Sequence, residues 1–170
     1  MTESYELFFE TEDKKMYGKL DSAMDDLLLA RSYGEYILKK NWKAKPWIRG
    51  SIYLQQSAFV SAMVVAYGRV FTRSIGWPSL PNYFMDIYDA DEYSLHHRII
   101  EKRNKLYAHS DSEKFDVRPW KSELHSDIKK VPIYYVEHSD ILALQNMCKK
   151  MTCQISNKMI QIKSKYVIKE

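Results

Sequence analysis

Residues 58–70 read AFVSAMVVAYGRV, apolar or small almost all the way round. A helix apolar on every side belongs in the middle of a protein, wrapped by others. The spacing of Ile52, Phe59, Met63, Ala66 and Val70 extends this helix over residues 50–74. A first helix is expected over 20–42, with Leu20, Met24, Leu27, Gly34 and Leu38 on one stripe and Asp21 and Ser22 as start signals. Pro46 closes it. Gly76, Pro78, Pro81 and Asn82 mark 75–91 as a loop with room for one turn of helix. A third helix follows over 92–109, its inner face marked by Leu95, Ile99 and Leu106. A last helix over 139–165 opens at Ser139 and Asp140 and carries Leu144, Cys148, Met151, Ile155 and Ile162 on its stripe. Between them, 110–137 reads as a small irregular or hairpin insertion, with β-branched and aromatic residues at Val131–Val136. The expected fold is all-α: an up-and-down four-helix bundle over residues 20–165 of a single domain spanning 1–170, preceded by a polar arm at 1–17 that is either loose or a short helix.

Composition agrees with a folded, helix-rich domain. The chain has 170 residues, 45% of them apolar, with only five Gly and five Pro, enough for one sizeable core and not for a disordered segment. The net charge of +4 permits an anionic partner without demanding one. No apolar run approaches the ~20 residues that span a bilayer, and the acidic, polar N-terminus is not a signal peptide. Cys148 and Cys153, both on the last helix, do not have metal-ligand spacing. They read as core thiols of a reducing cytosol, so a cytoplasmic location is expected.

The chemistry concentrates in RNKLYAHSD, residues 103–111. Arg103 is a permanent cation suited to phosphate, and His109 can give and take protons near neutral pH. Together they suffice to cut an RNA backbone without a metal or other cofactor. His109 would act as general base on the ribose 2′-OH or general acid on the leaving 5′-oxygen. Arg103 would bind the scissile phosphate, with Asn104 orienting phosphate or imidazole. On a straight α-helix Arg103 and His109 lie about 120° apart, flanking a groove without touching. A two-fold dimer pairing two such helices would bring both residues from each copy to a shared groove.

The run Arg-Asn-x4-His at 103–109 resembles the signature of the HEPN superfamily, and its Ala-His-Ser-Asp ending is similar to abortive-infection HEPN proteins. The resemblance implies a metal-independent endoribonuclease leaving a 2′,3′-cyclic phosphate, usually a homodimer, often a toxin or phage-defence effector kept in check by an antitoxin or regulatory protein. On it Arg103 and His109 are catalytic and Asn104 is the adjacent polar residue. It equally implies an alternative: a catalytically inactive HEPN-like bundle serving as a protein- or nucleotide-binding module.

Other residues have two readings each. Lys39, Lys40, Lys43, Lys45 and Arg49, interleaved with Trp42 and Trp47, form either an RNA platform or a solvated helix end. Lys102 and Tyr107 would extend RNA contacts beside the motif, though Tyr107 equally suits packing between helices. Arg31 and Arg69 either reach the groove, pair with a buried acid, or snorkel at the bundle edge. His96 lies on the Arg103 face of its helix and reads as a surface or supporting residue. No His, Cys and carboxylate cluster has ligand spacing, so no metal is expected.

Overall fold

The computed structural model describes residues 11–43, 50–73, 75–107, 120–121, 126–127 and 136–166. The described chain is all-α. Helix α1 spans Thr11–Lys39, α2 Ser51–Phe71, α3 Ala90–Lys102 and α4 His138–Ser164. A 3-10 helix at Asn82–Ile87 supplies the turn expected in the second loop, and a π-helical segment, Arg103–Tyr107, continues α3. A two-residue antiparallel ladder pairs Trp120 with Asp127 and Lys121 with Ser126. The ladder precedes the β-branched run of the sequence, most of which lies outside the described residues.

Helix α1 packs on α2 and α4, and α3 touches the same two helices, so α1 and α3 face each other across the core. As expected, α2 is the most enclosed: between Val60 and Val70 only Arg69 is exposed. Leu20 and Leu27 from α1, Met63 and Tyr67 from α2, Leu95 and Ile99 from α3, and Leu144, Cys148 and Met151 from α4 meet in one cluster. Ile52 departs from its stripe. It lies in the first turn of α2 and is 54% exposed.

Helix α1 begins well before the sequence signals, inside the expected arm. Asp21 and Ser22, read as a start, lie exposed in its middle. Tertiary contacts hold the extra turns. Asp13 accepts from Lys165 Nζ at 2.8 and 3.0 Å and from the Tyr166 hydroxyl at 2.7 Å. The hydrogen bond from Lys165, then that from Tyr166, holds the Asp13 carboxyl below the usual carboxylate range. Trp77 lies over Gly18, where a side chain would collide with its ring. Lys19 is buried, and its Nζ donates to the carbonyls of Arg69 and Thr72 at 3.5 and 3.4 Å, closing the end of α2. Burial lowers its pKa.

Helix α3 starts with a full capping box. Asp89 Oδ1 accepts from the Glu92 amide at 2.9 Å, and the Asp89 amide donates to Glu92 Oε2 at 3.1 Å. Its outer side is pinned to α4 by Arg98 to Asp140 at 3.0 Å and Lys150 to Glu92 at 2.7 Å.

Candidate functional site

The motif sits where α3 stops being an α-helix. Residues 103–107 adopt π-helical bonding, an uncommon geometry often found at functional sites. The angle of about 120° between Arg103 and His109 holds only for a straight α-helix. The wider π turn changes the angular step per residue, so that geometry does not apply. His109 itself, with residues 108–119, lies outside the described residues.

Arg103 is half-buried against α2. A Cβ at Gly68 would lie 2.7 Å from Arg103 Cγ and 3.2 Å from its Cδ. Only glycine lets the arginine stem lie this close to the helix backbone. Arg103 Nη1 donates to Asn104 Oδ1 at 2.9 Å. Its Nε is buried with no hydrogen-bond partner among the described residues, a cost unless something accepts from it. Asn104 is exposed and Arg103 half-buried, so the bonded pair lies at the surface of the described residues. Lys102 is half-buried and burial lowers its pKa, against the opposing pull of Asp140 and Glu137 on α4. Lys105 pairs with Glu101 at 3.2 Å.

The basic run before α2 is described only in part: Lys45, Trp47 and Arg49 lie outside the described residues, as does the side chain of Tyr107. Lys39, Lys40 and Lys43 are exposed. Lys40 Nζ lies 5.4 Å from the Tyr36 ring centroid. Trp42 packs edge-on against Tyr36 and Phe59, with centroids 5.5 and 5.6 Å away, while Tyr36 stacks on Phe59 at 4.6 Å. The ring is thus engaged in packing, and His138 Nε2–H donates to the Trp42 carbonyl at 2.8 Å, fastening it to the first turn of α4. Since Arg98 of α3 pairs with Asp140 in that same turn at 3.0 Å, the lysines at the end of α1 and the cations ending α3 come toward the same end of α4.

Arg31 pairs with Glu35 at 3.1 Å, and its Nε is buried without a hydrogen-bond partner among the described residues. Its carbonyl accepts from Gln145 Nε2 at 3.2 Å. Arg69 Nε donates to Asp26 at 3.0 Å. Cys148 is a core thiol that burial pushes up to about 12, whereas Cys153 is exposed, against expectation.

His96 is the largest departure. It is 4% exposed, with Nδ1 2.9 Å from the Tyr67 hydroxyl, which lies 3.4 Å from the Tyr88 hydroxyl. The Phe71 ring meets the imidazole edge-on at 4.5 Å. Burial, reinforced by neighbouring His97, lowers its pKa to about 4, so it is neutral at pH 7. The signal was on the helical wheel: His96 and Arg103 share an edge beside the Leu95–Ile99 stripe, and that edge faces α2.

Among the described residues no helix is long and apolar enough to cross a membrane, and no three His, Cys, Asp or Glu side chains gather as metal ligands. No family model, curated protein or solved structure matches the chain.

Proposed function

We propose that this chain is a HEPN-type endoribonuclease: an up-and-down four-helix bundle that dimerises and cuts RNA in the cytoplasm without a metal, as a toxin or phage-defence effector. The observation that carries the reading is Arg103. It is held by Gly68 and Asn104 on a π-helical turn at the surface of the described residues, with a buried Nε that lacks a partner among them. A phosphate satisfies such a group with charge-assisted hydrogen bonds. His109, in the same motif, takes the proton from the ribose 2′-OH or protonates the 5′-oxygen. Arg103 stabilises the charge that develops on the phosphate. Lys102 and the exposed lysines at the end of α1 supply attraction for the RNA backbone.

The test compares the wild type with His109→Ala on total cellular RNA and tRNA in EDTA. Cleavage that persists in EDTA, leaves 2′,3′-cyclic phosphate ends and vanishes in the variant is the expected result.

A specific observation favours the second reading, a bundle that binds a protein or nucleotide without catalysis. The Arg103 stem is packed on α2, as a purely structural arginine would be. Two inactive proteins, both folded and dimeric, would select it.

A further inference from the structure

Helix α1 turns its apolar stripe inward and, among the described residues, leaves its outer face exposed. Between residues 21 and 40 the exposed residues of that face run Asp21, Ser22, Asp25, Leu28, Leu29, Ser32, Tyr36, Lys39 and Lys40. Leu28 is 46%, Leu29 42% and Tyr36 38% exposed. On the helical wheel these residues fall within about 60° of one line. From Asp21 to Lys40 the charges are sorted along it: acids first, apolar residues in the middle, lysines at the end, with Lys14 one turn or more upstream of this stretch.

We propose that this face of α1 binds a second copy of the chain, helix against helix and antiparallel. The two-fold axis lies level with Ala30 and Arg31. In this register Asp21 approaches Lys40 of the other copy and Asp25 approaches Tyr36 and Lys39, each twice by symmetry. Leu28, Leu29 and Ser32 meet their counterparts at the centre. A parallel arrangement would set acids against acids and lysines against lysines, which is disfavoured. Sorted charges flanking an apolar centre make the face complementary to itself, which an isologous contact requires. Asp21 and Lys40 lie about 28 Å apart along the axis at α-helical rise. A single-helix strip is narrower than a permanent dimer interface, so association on the order of micromolar is expected.

This contact is not the shared groove of the proposed nuclease. Since α1 lies across the core from α3, the α1 pair points away from Arg103. If both contacts form, each chain has two isologous faces and assembles beyond a dimer. The readout below is mass, not RNA cleavage, so the two readings fail separately.

The experiment is light scattering coupled to gel filtration across a micromolar concentration series. The wild type is expected to associate. Leu28→Glu with Leu29→Glu should halve its mass while circular dichroism and the urea midpoint stay unchanged, since both sites are exposed. Asp21→Lys with Asp25→Lys should weaken association by about tenfold or more, as the symmetric charge pairs become repulsive. Adding Lys39→Glu and Lys40→Glu to that variant should restore the wild-type mass. A wild type monomeric throughout, a leucine variant of unchanged mass, or a charge-exchanged chain that fails to recover would each overturn the proposal.

Discussion

Helix α3 carries two polar side chains on its α2-facing edge, and they have opposite fates. His96 is enclosed by Tyr67, Tyr88 and Phe71, and its Nδ1 has a partner. Arg103, seven residues on, leans on Gly68 with a buried Nε that no described residue satisfies. Tyr67 and Gly68 are consecutive residues of α2, one meeting His96 and the other Arg103. The large side chain seals its end of the edge, and the missing one makes room at the other. A satisfied buried polar group serves stability, whereas Arg103 keeps hydrogen-bonding capacity that no described residue meets.

The sharpest way to break this contrast is Arg103→Gln. If the guanidinium acts on phosphate, RNA cleavage should fall about 100-fold or more, while the urea midpoint moves little. A large stability loss with cleavage retained would make Arg103 a second His96.

Acid tests the sealed end. With its folded pKa at about 4, below the unfolded value of ~6.5, neutral His96 favours folding. The unfolded state takes up the proton first as pH falls. Stability is therefore full above the unfolded value and declines through the window from about 6.5 to 4, by on the order of 2 kcal/mol between pH 7 and 5. Urea titrations at the two pH values, with His96→Gln as the control that loses this dependence, measure it.

Tyr67→Phe removes the hydroxyl beside His96 Nδ1 and should cost about 1–2 kcal/mol through a buried group left unpaired, as read from the urea midpoint. Cleavage per folded molecule should not change, because the hydroxyl meets His96 and not Arg103.

Gly68→Ala probes the boundary between the two ends and has the smallest expected effect. The added methyl meets Arg103 Cγ at 2.7 Å, so the stem must shift. Cleavage should drop by about threefold to tenfold, a change of roughly 1 kcal/mol, with a modest stability cost from overpacking. Unchanged kinetics would show that the close approach does not position the guanidinium.

Much of the helical framework was legible because apolar spacing is a local property. The start of α2 and the 3-10 turn before α3 follow from Gly and Pro within a few positions, and the limits of α4 from the reach of its apolar stripe. The stripe on α4 is buried as the periodicity requires, and that on α1 is buried at Leu20, Leu27 and Gly34 and half-buried at Met24 and Leu38. The early start of α1 was not legible, since it depends on Lys165 and Tyr166 reaching back to Asp13 and on Trp77 crossing Gly18. Those partners are distant in sequence.

The candidate site divides in the same way. Arg103, Asn104 and their place at the end of the third helix came from residue type and spacing. The π turn, the Gly68 seat and the buried Nε did not, because each depends on how α2 lies against α3. The burial of His96 also needed the fold: a histidine on the edge of a stripe faces solvent or core according to the neighbouring helix. The sequence by itself determined the all-α character and the chemistry on offer in the motif, since both reside in local pattern and side-chain identity. Only the tertiary structure decided which polar groups are satisfied, because satisfaction is a relation between helices.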